Sequence, residues 1–130
     1  MSLKPFIKSA FIALAVLFFF AGTASAQDSL KTTEGRARAI SQKMKTELSL
    51  SDDQYNKVYE INLKYAQQNE TIRKSSDDRM AKMQAIKAGN EAKNNELKAV
   101  LTKEQFEEYK KMQKELREEA KEKMKERRNQ

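Results

Sequence analysis

The sequence predicts an all-α protein of four helices, and three observations carry that prediction. Beyond residue 26 no alternating run of Val, Ile or Thr occurs, and clusters of Gly and Pro are absent. Ala, Glu, Lys, Gln, Leu, Met and Arg dominate the same stretch, all of them good helix formers. The apolar residues then recur at steps of three and four, the period of a single helical face.

The first element is a leader. Residues 1–26 read as a cleavable secretory signal, with Lys4 and Lys8 as the positive n-region and residues 10–22 (AFIALAVLFFFAG) as an unbroken apolar run. Ala24-Ser25-Ala26 supplies the small residues that signal peptidase accepts. The run is 13 residues long where a bilayer span needs ~20, which favours cleavage over an anchor helix. No Cys stands at the cleavage site, so a lipid anchor is excluded, and Gln27 is the expected mature N-terminus. Cysteine is absent throughout, so no disulfide staples an exported chain. That combination places the expected protein in a bacterial periplasm.

Residues 27–130 are expected to form one helical domain with a thin core. Leu, Ile, Val and Phe number 14 of its 104 residues, below the ~20% at which charged chains tend to stay disordered. Its charge is 24 basic against 19 acidic residues. Such a chain can fold by lining long helices along one narrow seam or by completing its core through dimerisation, and both are expected.

Residues 27–32 read as a loose lead-in. From Thr33 the positions Ala37, Ile40, Met44 and Leu48 fall on one helical face. A second helix carries Tyr55, Val58, Tyr59, Asn62, Ala66 and Ile72, while Ile61, Leu63 and Tyr65 widen its stripe, which predicts more than one neighbour. Ser75-Ser76-Asp77-Asp78 is the best candidate for a break, since Ser and Asp are good N-caps. The third helix shows Met80, Met83, Ile86, Leu97 and Val100. Met83 and Leu97 lie 14 apart, as do Ile86 and Val100, so the phase survives the polar notch at Gly89 and Asn90, although a break at 88–90 is the alternative. The last helix opens after Leu101 and presents Phe106, Tyr109, Met112, Leu116, Ala120 and Met124 before a charged end, 121–130, that is expected to fray.

Two five-residue segments are near copies. Leu50-Ser51-Asp52-Asp53-Gln54 precedes Tyr55, and Leu101-Thr102-Lys103-Glu104-Gln105 precedes Phe106. Each reads as a capping box, in which Ser51 or Thr102 accepts from the N3 amide and Gln54 or Gln105 reaches back to the cap's own amide. Leu50 or Leu101 is placed to staple the first turn. As caps alone they are worth ~1 kcal/mol each.

The copies lie 51 residues apart, room for two helices of about 22 residues and a tight turn. A leader, a short helix, and two capped helices at this spacing resemble the Spy/CpxP family of bacterial periplasmic proteins, whose signature is a doubled Leu-Thr-x-x-Gln. The second copy matches in full, and the first differs by Ser51, which keeps the capping hydroxyl. The resemblance covers roughly residues 36–125, with a shorter interval between motifs. It implies a thin, cradle-shaped four-helix homodimer with a long central hairpin. The functions it implies are an ATP-independent chaperone for unfolded envelope proteins, or a stress regulator bound to a sensor kinase; some relatives sense heavy metals.

The residues themselves exclude much chemistry. No His or Cys occurs, so the usual general base and thiolate nucleophile are missing, and no glycine-rich loop could cradle phosphate. An enzyme and a resident cofactor are therefore not expected. Carboxylates fall at helical spacing to Lys, as in Glu107–Lys111 and Glu119–Lys123. Met80 and Met83 could offer two thioethers to Cu(I), but methionines at that spacing far more often pack a seam, and no metal site is assigned. Nucleic acid is not expected despite a pI near 9.5, because basic and acidic residues interleave. Nor is membrane insertion after cleavage.

Client binding is the reading that survives. A surface for unfolded chains mixes adaptable apolar side chains with charge. The candidates are Met44, Ile61, Leu63, Tyr65, Met80 and Met83, ringed by Arg36, Arg38, Lys64, Arg73 and Lys87.

Overall fold

The computed structural model describes residues 30–130. The leader read at 1–26 and the expected N-terminus at Gln27 lie outside the described residues. Within them the chain forms four helices and no strand: α1 Thr33–Leu48, α2 Asp52–Lys74, α3 Arg79–Val100 and α4 Lys103–Arg128. None is long and apolar enough to cross a membrane.

The helix ends follow from local chemistry. Thr32 caps α1 by accepting from Gly35 N at 2.9 Å. At its other end Ser49 takes the left-handed conformation (φ 53°), and Leu50 N closes back on Lys45 O at 3.1 Å. The break between α2 and α3 falls at the serine–aspartate cluster. Ser75 Oγ donates to Ile72 O at 2.7 Å, and Asp78 accepts from Ala81 N at 2.8 Å as the cap of α3. Lys82 Nζ reaches across to Arg73 O at 3.0 Å, placing a cation on the carbonyl end of α2.

The notch at Gly89 is no break. Gly89 is a buried residue inside a continuous α3, and its Cα side faces Tyr65, Gln68 and Asn69 of α2. The charged end of α4, where fraying is expected, is helical as far as Arg128, with every residue from Arg117 onward exposed.

Helix α2 is central. It packs α1 on one side and α3 on the other, while the backbones of α1 and α3 do not approach each other. The backbone of α4 approaches those of α1 and α3, and α4 meets α2 through side chains, so it straddles the other three near its own start. The core sits at that crossing. Met44 and Leu48 of α1, Val58 of α2, Leu97 of α3, Tyr109 and Met112 of α4 and the two motif leucines, Leu50 and Leu101, form one cluster. Ile61, Val100, Phe106 and Leu116 pack half-buried against it.

Candidate functional site

The two capping motifs meet. Both boxes close: Gln54 N to Ser51 Oγ and Gln105 N to Thr102 Oγ1 at 3.2 Å, Ser51 N to Gln54 Oε1 at 3.1 Å, Thr102 N to Gln105 Oε1 at 2.9 Å. The glutamine amides then bond each other across the crossing. Their remaining N–H groups cap the opposite helix pair, Gln54 Nε2 donating to Val100 O and Gln105 Nε2 to Leu48 O, each at 3.2 Å. The motif is thus more than two helix starts. It is a junction that satisfies the ends of all four helices with two side chains, and sequence reasoning assigned only the capping half of it.

Away from the junction two stretches lie open. Arg36 in the first turns of α1 pairs with Glu70 at 3.1 Å, so the tip of the α2–α3 hairpin extends past α1. Met80 and Met83 stand there 65% and 57% exposed, with Arg73 and Lys87 also exposed nearby in sequence. The second open stretch is the outer half of α4, where Met124 is 71% exposed.

The candidate client residues therefore do not form one surface. Met80, Met83, Arg73 and Lys87 gather on the hairpin arm, whereas Met44 and Tyr65 are corrected to the interior, at 0% and 6% exposure. Met44 falls on the inward face of α1 with Ala37, Ser41 and Leu48, and Tyr65 on that of α2 with Val58 and Asn62. Ile61 and Leu63 are half-buried. Arg36 is held by Glu70, and Arg38 lies 5.7 Å from the Tyr59 ring centroid. Lys64 pairs with Glu96, which also accepts from Tyr65 Oη at 3.0 Å, while its ammonium sits 5.0 Å from the Tyr65 ring centre. The hydrogen bond from Lys64 holds the Glu96 carboxyl below its ordinary range. On α4, Glu107 turns to Lys110 at 3.3 Å and not to Lys111, and Glu118 rather than Glu119 is the paired carboxylate.

Among the described residues no three His, Cys, Asp or Glu side chains gather as a metal site. One polar recess was not foreseen. Between α1 and α3, over α2, a cavity of about 180 Å³ is lined by Arg36, Asn62, Tyr65 and Lys93 among others. Asn62 had been recognised as part of the inward stripe, and Lys93 had no signal beyond being one charge among many.

A family model described as Domain of unknown function (DUF4890) matches residues 21–109. No curated protein and no solved structure matches the chain.

Proposed function

The chain belongs to the DUF4890 family, and from that premise we propose that it is an ATP-independent chaperone of the bacterial periplasm that binds unfolded envelope proteins as a homodimer. One observation supports this reading above the others. The large apolar side chains exposed among the described residues are Leu30 and three methionines, Met80, Met83 and Met124. Methionine is flexible and polarisable, so it adapts to varied apolar partners without demanding a shape. Lys and Arg surround these positions, which suits steering of extended or acidic chains. The secretory leader and the doubled Leu-Ser/Thr-x-x-Gln motif, with its likeness to the Spy/CpxP family, support export and the same activity.

The mechanism needs no reaction. A client segment lies against the methionines of the hairpin arm and the outer half of α4, held by apolar contact and by charge at the rim. Because each contact is shallow, the client leaves or folds without an energy source.

The test is dilution of a denatured, aggregation-prone protein into nucleotide-free buffer, followed by light scattering with and without the chain. Suppression at about one dimer per client, weakening as salt rises, is the expected result. No suppression at several-fold excess would overturn it. Capture of one dominant partner from the envelope, with no suppression, would move the reading to a regulator that binds a sensor kinase.

A further inference from the structure

The charges of α4 interleave in sequence, but the helix sorts them. Lys103, Lys110, Lys114, Arg117, Lys121, Lys125 and Arg128 recur at steps of seven, four and three, so they line up as one stripe. The inward row of α4 is Gln105, Tyr109, Met112 and Leu116. At about 100° per residue the basic stripe lies on the far side of the helix from that row. All seven cations are exposed. The stripe runs from Lys103 to Arg128, roughly 38 Å at 1.5 Å per residue. Glu104, Glu108, Glu115, Glu122 and Glu126 form a second stripe on one flank, at steps of four and seven.

The ridge is only partly neutralised. Lys110, Lys121 and Lys125 each pair with the glutamate three residues before them, Glu107, Glu118 and Glu122, at 3.3, 3.1 and 2.8 Å. Exposed pairs of this kind are worth about 0–1 kcal/mol, so they yield to a competing anion. Lys103, Lys114, Arg117 and Arg128 have no ion pair or hydrogen bond among the described residues. At the root of the ridge the last turn of α3 adds Lys98. There Lys98, Lys103 and Lys110 line an open recess of about 390 Å³, with Leu101 and Phe106 as its apolar side.

The shape of the ridge selects among anionic partners. A helix seated in a nucleic-acid groove has phosphates along both sides, which would set the glutamate flank of α4 against one wall. The ridge also carries no aromatic side chain on which bases could stack. A flat anionic surface touches the ridge alone and leaves the glutamates in water. The ridge has no Trp, Phe or Leu to drive into acyl chains, so contact stays at the level of the headgroups.

We propose that the outer ridge of α4 docks peripherally on an anionic phospholipid surface, the helix lying flat and the core standing on its water side. The site is independent of the chaperone reading, because it uses none of the exposed methionines.

The probe is vesicles of equimolar phosphatidylglycerol and phosphatidylcholine, mixed with the chain from Gln27 onward, which holds every described residue, and read by flotation. Binding at low salt that falls as salt rises is expected, with none to vesicles of phosphatidylcholine alone. Lys114→Gln, Arg117→Gln and Arg128→Gln together are expected to weaken binding by about a hundredfold. These side chains are exposed and unbonded, so the fold is kept. Lys43→Gln, Lys57→Gln and Arg79→Gln together remove the same charge from exposed positions on α1, α2 and α3, and are expected to leave vesicle binding largely unchanged. An equal loss in that control would assign the binding to net charge and overturn the proposal. So would no binding to the anionic vesicles at low salt, or equal binding to the neutral ones. Binding to duplex DNA or poly-L-glutamate but not to vesicles, lost in the ridge variant, would make the partner a linear polyanion and overturn it too.

Discussion

The side-chain amides of Gln54 and Gln105, 51 residues apart, bond each other in both directions, Gln54 Nε2 to Gln105 Oε1 at 2.7 Å and Gln105 Nε2 to Gln54 Oε1 at 3.3 Å. With the box and carbonyl contacts added, each amide has both hydrogens and both oxygen lone pairs occupied. Gln105→Ala is expected to destabilise by about 2 kcal/mol, because it removes a cap and leaves Gln54 and the Leu48 carbonyl short of partners. The double variant with Gln54→Ala should cost less than the two singles together, with a coupling of about 1 kcal/mol in urea denaturation. Strict additivity would mean that the two amides act only as separate caps.

Gly89→Ala is expected to stabilise. A Cβ there would meet Gln68 Nε2 at 3.9 Å and Asn69 Oδ1 and Tyr65 Cδ1 at 4.0 Å, ordinary contact distances. The backbone is helical, so the gain is about 0.5–1 kcal/mol from lost freedom in the unfolded chain, read as a higher thermal midpoint.

Tyr109 should make the fold sensitive to base. Burial pushes its phenol from 10.0 to about 12, with the Gln113 amide hydrogen bond acting the other way. The folded value lies above the unfolded one, so this contribution is intact below pH ~10 and is lost as pH rises to about 12. The loss is roughly 2–3 kcal/mol, and tyrosinate absorbance during alkaline titration should show this ring ionising with unfolding. Tyr109→Phe should flatten that limb of the stability profile.

Removing residues 117–130 should separate stability from binding. All of them are exposed, so denaturant stability should change by no more than about 0.5 kcal/mol. Suppression of client aggregation should fall, and fall further with Met80→Ser and Met83→Ser. A truncated chain that unfolds more readily would show that the outer half of α4 supports the core.

Much of this fold was legible from residue spacing. The caps at Ser51 and Thr102, the break at residues 75–78 and the continuity of α3 through Gly89 all follow from hydroxyl placement and helical phase. The burial of Tyr65 did not follow, because α2 is packed from two sides and a helical stripe does not say which neighbour covers which edge. Met44 was misplaced for a related reason: a methionine in the inward row of α1 has the same spacing as one on a binding face. Asn62 and Lys93 were invisible as a pair, since an expected hairpin of α2 and α3 does not say which of their polar residues share a recess. The doubled motif held more information than was drawn from it. A glutamine repeated at equivalent places in two helix–turn–helix units can answer itself.

Helix α4 is anchored along its first half, through Phe106, Tyr109, Met112 and Leu116, and beyond that it is a lever. The arm from Leu116 to Arg128 is roughly 18 Å long at 1.5 Å per residue. A swing of ~10° about the anchor would carry its tip by about 3 Å, while the junction glutamines would hardly move. Under the proposed function, a small angle at this stiff pivot would set the span between arm and hairpin, so that one molecule would grip chains of different girth without repacking its interior.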